Sequence, residues 1–317
     1  MTSPAIDPEL LPFLNSFPTR ALSPGTVSDI RAELRTQQSL TPPFASRAVK
    51  RSEVRVPGAA GDPPVRALVY SPAGQQFPRP AYLHIHGGGY VVGTPEMNES
   101  RHLSMVEALG IVVVSVDYRL APEHRHPAAL QDCHAVLRWL AHEGGSIGVD
   151  PQRIAIGGES AGAGLAANLA LLARDQATAA IALQALMYPM LDDRTGSIVP
   201  PAPNTSALIW PAASNVFGWS ALLGHAPTMD APPLYAAAAR ADRLDGVAPL
   251  FMAVAALDIL RDENIEYAKR LMQAGVTTEM HVYPGTVHAF DLAPDTAPAQ
   301  RMIRDLHDAL RRALGVP

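Results

Sequence analysis

Apolar runs of strand length alternate with helical patterns along most of this chain, and this alternation limits the folds that it can adopt. The strand candidates are 81–86, 111–117, 154–157, 181–187, 250–255 and 278–283. Helical patterns fall near 99–109 and 128–143, from Ala163 onward, and at 263–274 and 298–314. Continuous apolar strands alternating with helices favour a parallel sheet covered on both faces. The sequence therefore predicts the α/β class.

Two regions depart from this alternation. A proline-punctuated helical region opens the chain, with 27–34 as its clearest amphipathic piece, and extended runs at 53–56 and 65–70 predict an antiparallel start to the sheet. Between Tyr188 and about Arg240, prolines, glycines and aromatic residues accumulate without a strand. Because ligands bind beyond the strand ends of open α/β sheets, we interpret this second region as an insertion beside a binding site.

Composition narrows the class of protein. A chain of 317 residues, 48% hydrophobic and 17% charged, suits one large domain with an added cap. Its net charge of -5 gives no basic face for nucleic acid or anionic lipid. The single cysteine, Cys133, excludes an internal disulfide framework and fits a reducing compartment. Without a signal-peptide pattern or an apolar run of membrane-spanning length, the sequence leads us to expect a cytoplasmic protein.

The pentapeptide Gly158-Glu159-Ser160-Ala161-Gly162 stands between a predicted strand and a predicted helix. That context is typical of a nucleophile elbow, in which a serine on a strained turn projects its hydroxyl. The chain can pass close on either side only where side chains are nearly absent, and glycines at both ends of the pentapeptide meet that need. We interpret Ser160 as a candidate nucleophile.

A second copy of the same pattern, Gly144-Gly145-Ser146-Ile147-Gly148, lacks this context. It follows the amphipathic run 134–143 and precedes Val149-Asp150-Pro151, so it indicates a helix end and a turn before the next strand. We interpret Ser146 as part of a glycine-rich connector.

A nucleophilic serine needs a base, an acid that orients the base, and donors for the oxyanion. His288 lies in a loop after the strand 278–283, and it is the last member of the order Ser, Asp, His that α/β-hydrolase triads follow. Asp258 follows the strand 250–255 and is the candidate acid. Asp262 is its main competitor but opens the next helix, where carboxylates cap N–H groups. Asp291 is a weaker competitor that we interpret as a turn or capping residue.

Candidate oxyanion donors come from a glycine loop. His86-Gly87-Gly88-Gly89 directly follows the strand 81–86, where backbone amides can turn toward a ligand without side-chain obstruction. Such motifs supply one side of an oxyanion hole, and the N–H after the nucleophile, here that of Ala161, supplies the other.

Five ordered motifs together resemble the hormone-sensitive-lipase-like (bacterial family IV) carboxylesterases. They are His86-Gly87-Gly88-Gly89, Tyr118-Arg119-Leu120-Ala121-Pro122-Glu123, the pentapeptide around Ser160, Asp258-Ile259-Leu260-Arg261-Asp262-Glu263 and His288-Ala289-Phe290. The resemblance implies an α/β-hydrolase fold: a mostly parallel eight-stranded sheet with helices on both faces and a helical cap. It also implies that Ser160, Asp258 and His288 are catalytic, that Gly88, Gly89 and Ala161 form the oxyanion hole, and that no metal or other cofactor is required.

Three residues depart from the family pattern. Glu159 stands where the family often has Asp, Ala289 where Gly is commoner after the histidine, and Ile259 where Pro is commoner after the acid. None of these changes removes a catalytic group. They bear on the loop geometry around the acid and the base, and the role of Glu159 does not follow from the sequence.

The resemblance further implies a cap made of 1–48 and 188–240 over a catalytic domain made of 49–187 and 241–317. Aromatic residues are concentrated in the two cap segments, where Phe13, Phe17, Phe44, Trp210, Phe217 and Trp219 either form the cap core or line a substrate pocket together with Tyr90 and Tyr188. An enclosed pocket favours small-molecule esters with short-to-medium acyl chains.

Two alternatives from other classes stay open. A metallohydrolase is suggested by His84-x-His86 and His124-x-His126, because alternate residues of a strand share a face. A catalytically weak or inactive ligand-binding protein is the other, since this fold can lose catalysis and keep its pocket. The resemblance is also compatible with a homodimer, whose contact we would expect on the strand 278–283 if it lies at the sheet edge.

Overall fold

The computed structural model describes residues 5–17, 20–40, 46–74 and 78–317, so Phe44 lies outside the described residues. Eight strands form one sheet: β1 (Val49–Val56), β2 (Val65–Pro72), β3 (Arg79–Ile85), β4 (Val112–Asp117), β5 (Val149–Glu159), β6 (Ile181–Met187), β7 (Leu250–Ala255) and β8 (Thr278–Tyr283). The α-helices of the described residues are α1 (Leu11–Ser16), α2 (Val27–Leu40), α3 (Glu99–Leu109), α4 (Ala128–Glu143), α5 (Ala161–Gln176), α6 (Ala212–Leu223), α7 (Arg261–Gln273) and α8 (Ala297–Leu314).

The sheet has the strand order β1-β2-β4-β3-β5-β6-β7-β8. β2 pairs antiparallel with both β1 and β4, and every later pairing is parallel. The prediction of a mostly parallel eight-stranded sheet with an antiparallel start is confirmed. Because parallel strands end at the same edge, the loops after β3, β5, β6, β7 and β8 are brought to one side of the molecule.

Helices cover both faces of the sheet, as predicted. On one face, alternate residues such as Val114 and Ile156 pack in a core with apolar side chains of α4, α5 and α7. On the other, the intervening residues, such as Val113 and Ala155, pack with α3 and α8. Since both faces are buried, the central strands are apolar at nearly every position, which is the pattern that the sequence displays.

β5 begins earlier than the sequence pattern predicts. The pairing with β3 moves from Arg79↔Val149 to Ala81↔Ile154, so β5 carries extra residues over this interval. Asp150 accepts the backbone N–H of Gln152 at 3.0 Å, a local bond typical of turns. The residues that suggested a turn therefore form an irregular start to the strand.

The insertion after β6 contains α6 and is tied to the N-terminal region. The N–H of Leu22 donates to Ser214 Oγ on α6 at 3.0 Å. Arg31 on α2 donates to Val91 O and Ala121 O, at 2.6 and 2.7 Å. The N-terminal region thus contacts both α6 and the loop that follows β3. Within the described residues, no helix combines the length and the apolar character needed to cross a membrane.

Candidate active site

Ser160 occupies a sharp turn between the end of β5 and the start of α5. Its backbone has φ 53° and ψ -119°, a conformation that L residues rarely adopt. Its N–H donates to Met187 O at 2.9 Å, and its carbonyl accepts from Gly164 N at 2.9 Å and from Met190 N at 3.1 Å. Bonds to the end of β6, to the loop beyond it and to α5 therefore hold the strained residue in place.

The glycines of the pentapeptide allow β3 to approach the turn. A Cβ on Gly158 or on Gly162 would lie 2.0 Å from Ile85 O, and one on Gly162 would also lie 2.4 Å from His86 O. No side chain fits at such distances. In the second pentapeptide, by contrast, a Cβ on Gly144, which corresponds to Gly158, would lie 3.2 Å from side-chain atoms of Val149, and one on Gly145 would meet nothing within 4 Å. The two copies of the pattern differ as their contexts predict.

Ser160, His288 and Asp258 form one hydrogen-bonded chain. His288 Nε2 lies 2.9 Å from Ser160 Oγ, and His288 Nδ1 lies 2.6 Å from Asp258 Oδ2. The three residues are buried, with exposed fractions of 6%, 5% and 1% for the serine, the histidine and the aspartate. When Nδ1–H donates to the carboxylate, the lone pair of Nε2 faces the serine hydroxyl. This is the arrangement that a general base requires.

The candidate acid is held by its own loop, and its two competitors are engaged elsewhere. Asp258 Oδ1 accepts the N–H of Leu260 at 3.1 Å. The mostly exposed Asp262 pairs with Arg261 at 2.7 Å in the first turn of α7. The interpretation of Asp291 as a turn or capping residue accounts for its place in the backbone but not for its side chain. Its buried carboxylate accepts hydrogen bonds from the guanidinium of Arg101 and from Tyr188 O–H.

The glycine loop after β3 packs directly on the elbow. A Cβ on Gly87 would lie 3.0 Å from Glu159 O and 3.6 Å from Ser160 Cβ. Gly88 and Gly89 have φ of 121° and 60°, and the Gly88 carbonyl accepts from the backbone N–H groups of Val91 and Val92, three and four residues later. Among the hydrogen bonds of the described residues, none is donated by the N–H of Gly88, Gly89 or Ala161. Three backbone donors near the serine are thus available to a ligand.

His86 braces this loop. Its Nδ1 lies 2.8 Å from Gly87 O, its ring stacks on Tyr118 with centroids 4.2 Å apart, and Tyr118 O–H donates to His86 O at 2.8 Å. Burial lowers the pKa of His86 to about 4, so the ring is neutral at physiological pH. These contacts agree with the structural role that the family resemblance implies for both residues.

Seven of the eight aromatic pocket candidates lie in the described part of the chain, and two of these seven lie against His288. Trp210 stacks on His288 with ring centroids 5.8 Å apart, and Tyr188 meets it edge-on at 4.9 Å. Trp210 Nε1 donates to Asn215 Oδ1 at 2.9 Å, and Asn215 donates in turn to Thr195 O at 2.8 Å. The insertion therefore places a fixed indole over the site, and the sequence pattern did not identify Asn215 as its partner.

The other five candidates pack away from the histidine or in the apolar core. Tyr90 pairs with the buried Trp219 at a centroid distance of 5.1 Å, and its O–H donates to Met190 O. Phe217 is half-buried against the core on the α5 face. Phe13 and Phe17 pair with each other at 5.4 Å, and Phe13 packs against the core on the α8 face.

Glu159, the residue whose role did not follow from the sequence, is the centre of a buried polar cluster. Its carboxylate contacts His84 Nε2 at 2.9 Å, Asn98 Nδ2 at 2.9 Å and an Arg101 guanidinium nitrogen at 2.5 Å. Burial by itself would raise the pKa of Glu159, but His84 and Arg101 lower that pKa to about 2. The carboxylate is therefore ionised at neutral pH. The sequence offered one signal for its partner, a lone arginine on the predicted helix 99–109.

Three of the four histidines in the His-x-His pairs are engaged in other contacts, and the fourth, His124, is exposed. His84 binds Glu159 and lies 3.3 Å from Ser115 Oγ, His86 braces the glycine loop, and His126 Nε2 lies 3.0 Å from Leu234 O. In the part of the chain that the structure describes, no three His, Cys, Asp or Glu side chains are grouped as metal ligands would be. The contacts of these histidines are those of structural side chains.

Comparison with known proteins places the chain in a family. A family model described as the α/β hydrolase fold matches residues 82–292, an interval that contains the elbow, the glycine loop, Asp258 and His288.

A named relative and a solved structure extend the match over nearly the whole chain. Esterase LipI from Mycobacterium tuberculosis (strain ATCC 25618 / H37Rv) is 36% identical, with 90% of this chain and 88% of the relative covered. An ethyl acetate hydrolase from Pseudomonas putida is 34% identical, covering 66% of this chain and 65% of its own. The structure of a bacterial heroin esterase matches with a TM-score of 0.89 and 35% identity, covering 99% of each chain.

Proposed function

The chain belongs to the hormone-sensitive-lipase-like family of the α/β-hydrolase fold and is a serine carboxylesterase, and from this premise we propose that Ser160, His288 and Asp258 are its catalytic triad. The observation that carries the proposal is the buried chain of hydrogen bonds from Ser160 Oγ through His288 to Asp258. It pairs a strained, projecting serine with a base and an orienting acid, which is the combination that acyl transfer requires.

In the first half of the reaction, Ser160 Oγ attacks the carbonyl carbon of the ester while His288 Nε2 accepts the hydroxyl proton. The carbonyl oxygen becomes an oxyanion, and the N–H groups of Gly88, Gly89 and Ala161 stabilise it. When the ester C–O bond breaks, the imidazolium returns its proton to the departing alcohol. The acyl group remains bound to the serine.

In the second half, water attacks the acyl carbon and gives a proton to His288 Nε2. The tetrahedral intermediate collapses, the carboxylic acid leaves, and Ser160 regains its proton from the imidazolium. Asp258 accepts Nδ1–H of His288 through both halves, which holds the ring and stabilises the imidazolium. No step in this sequence calls on a metal ion or an organic cofactor.

We propose that the cap consists of 1–48 and 188–240 and the catalytic domain of 49–187 and 241–317. The bond between Leu22 and Ser214 supports this division, because it joins the two cap segments directly. Limited proteolysis tests it: cleavage is expected first within the cap segments, with 49–187 and 241–317 resistant, and early cleavage inside those two ranges would contradict it.

The substrates that we propose are small esters with short-to-medium acyl chains. Trp210 covers His288, and little of the serine or the histidine is exposed, so the acyl group must fit a covered site. One relative is named ethyl acetate hydrolase and one structural neighbour heroin esterase. The esters in both names carry acetyl groups, which supports a preference for short acyl chains. Hydrolysis of p-nitrophenyl esters of increasing chain length tests this, and a maximum on long chains would contradict it.

Labelling with an organophosphate tests the triad itself. Mass spectrometry of the inactivated enzyme should find the phosphonyl group on Ser160, at one group per chain, and a chelator should leave activity unchanged. A label on Ser146 or on no serine, or loss of activity with the chelator, would refute the proposal.

We also propose a homodimer that pairs through β8, which lies at the sheet edge with a half-exposed face. Light scattering of the wild type and of Val282→Lys tests it, because position 282 is exposed and the substitution would place a charge in the contact. A monomeric wild type, or a variant that dimerises normally, would contradict the proposal. The cytoplasmic location stays a prediction that cell fractionation can test.

A further inference from the structure

Arg101 on α3 connects two carboxylates that come from opposite sides of the triad. One of its guanidinium nitrogens donates to Glu159 Oε1 at 2.5 Å, and another donates to Asp291 Oδ2. All three side chains are largely buried, with exposed fractions of 15%, 8% and 1% for the arginine, the glutamate and the aspartate. Two buried carboxylates that share one cation depend on it strongly, because its loss leaves uncompensated charges in the interior.

The first carboxylate belongs to the elbow. Glu159 is the last residue of β5 and directly precedes Ser160. Arg101, Asn98 and His84 all hold its side chain, so the position of β5 at the turn is fixed from α3, from the residue that precedes α3 and from β3.

The second carboxylate belongs to the loop of the base. Asp291 comes three residues after His288, in the short 3-10 helix Phe290–Leu292. Besides Arg101, its carboxylate accepts the O–H of Tyr188, and the ring of Tyr188 packs edge-on against His288 at 4.9 Å. The base is therefore connected to Arg101 through the chain and through the tyrosine.

We propose that Arg101 is a positioning residue, which holds the elbow and the His288 loop at the separation that proton transfer between Ser160 and His288 requires. This inference rests on the proposed triad. Arginine suits the role because its planar guanidinium donates from several nitrogens at fixed angles, whereas the ammonium of lysine is a single point charge. Glu159 stands where this family often has Asp, and its longer side chain reaches Arg101.

The charges of Glu159 and Arg101 support a bridge that does not change with pH in the neutral range. Burial would raise the pKa of Glu159, but His84 and Arg101 hold it near 2. Burial would likewise lower the pKa of Arg101, but Asp291 and Glu159 raise it above its ordinary value. The bridge between Arg101 and Glu159 therefore keeps its charges throughout the neutral range, and it positions the triad at every pH at which His288 can act as a base.

Arg101→Lys tests the proposal, because it keeps the charge and loses the two-sided bridge. We expect kcat to fall by up to about 100-fold, as displacements of about 1 Å do, while KM changes by less than about threefold. Arg66→Lys is the matched control: Arg66 also bridges several carboxylates, the partly buried ones of Glu96 and Asp117 and the exposed one of Glu53, but none belongs to the elbow or to the His288 loop. Its kcat should stay near that of the wild type.

Asp291→Asn provides a second test if the lysine variant folds poorly. It removes the far end of the bridge and should also lower kcat with little change in KM. The double variant should lose little more than the more impaired single variant, since both break one connection. A kcat near that of the wild type in both single variants, or multiplicative losses in the double variant, would overturn the positioning role. Organophosphate labelling of wild-type Ser160 separates this failure from failure of the triad, because it does not depend on Arg101.

Discussion

The indole of Trp210 lies nearly parallel to the imidazole of His288, with 29° between the ring planes and 5.8 Å between their centroids. The same indole reaches the glycine loop, because a Cβ on Gly89 would lie 2.4 Å from its Cη2 atom. One side chain of the insertion therefore touches the base of the proposed triad and one side of the proposed oxyanion hole.

Trp210→Ala should shift specificity toward larger esters. Removing the indole opens space beside the reacting carbonyl, so we expect the ratio of kcat/KM for octanoyl over acetyl p-nitrophenyl esters to rise by about tenfold or more. Phe217→Ala, which truncates a half-buried aromatic residue of the same insertion, is the control and should leave this ratio nearly unchanged. An unchanged ratio in the Trp210 variant would show that the indole does not limit the substrate.

Ser160→Ala should remove nearly all turnover without unfolding the protein. Loss of a triad serine lowers kcat by about 10⁶-fold in proteases that use this mechanism, and we expect a loss of about 10⁴-fold or more here. Steady-state kinetics with a short-chain ester, alongside circular dichroism, measures both properties. Substantial residual activity from a folded variant would mean that another group is the nucleophile.

Ser160→Gly should be more stable than Ser160→Ala. Both variants lack the hydroxyl, but alanine keeps the Cβ that makes φ 53° and ψ -119° unfavourable, whereas glycine adopts positive φ readily. We expect the glycine variant to have the larger free energy of unfolding, by about 1 kcal/mol or more. Urea unfolding of the two variants decides this, and equal stabilities would mean that the turn is not strained.

Gly162→Ala should destabilise the protein and reduce its activity. The new methyl group would lie 2.0 Å from Ile85 O, so β3 or the elbow must move, at a cost of about 1–3 kcal/mol or more. Gly145→Ala in the second pentapeptide is the control, since its methyl group meets open space. We expect the free energy of unfolding of that variant to lie within about 1 kcal/mol of the wild-type value, and its kcat to be unchanged.

Glu159→Gln should make the free energy of unfolding less dependent on acidic pH. The pKa of Glu159 is lowered from 4.5 to about 2 in the folded chain, so its ionised form contributes stability that is fully present above pH 4.5 and is lost as the pH falls through about 2. Such a shift corresponds to about 3 kcal/mol. The stability difference between the wild type and the variant should therefore be large at pH 6 and shrink between pH 4.5 and 2.

Glu266→Gln is the matched control for this experiment. Glu266 forms an exposed ion pair with Lys269, so its removal should change stability by less than about 1 kcal/mol. A stability difference for Glu159→Gln that stays constant from pH 6 to pH 2 would contradict the assignment of a depressed pKa to the buried carboxylate.

Local patterns were sufficient to predict the sheet and the elbow. Because the strands are buried on both faces, they appear in the sequence as continuous apolar runs. The tight turn at Ser160 likewise requires the glycines that flank it. The sequence pattern predicts too late a start for β5, because the turn-forming residues around Pro151 lie in an irregular part of the strand.

The polar cluster behind the elbow could not be predicted in the same way. Arg101 and Asp291 are 190 residues apart in the chain, and each looks like an ordinary surface residue of a helix or a turn. Only the packing of α3 against the loop after β8 buries them together. Asn215, which fixes Trp210, raises the same difficulty: its hydrogen bond to Thr195 O, 20 residues earlier in the chain, depends on how the insertion folds back on itself.

The backbone of α6 contacts the backbone of the glycine loop at Gly218, where a Cβ would lie 2.7 Å from Gly89 O. A large substrate that pushed α6 outward would pull on the loop that must hold the reacting oxygen. Size discrimination in such an enzyme would then be seen in how fast a bound ester reacts as well as in how tightly it binds. A mutational route to bulkier substrates would have to loosen this contact without misaligning the amide donors beneath it.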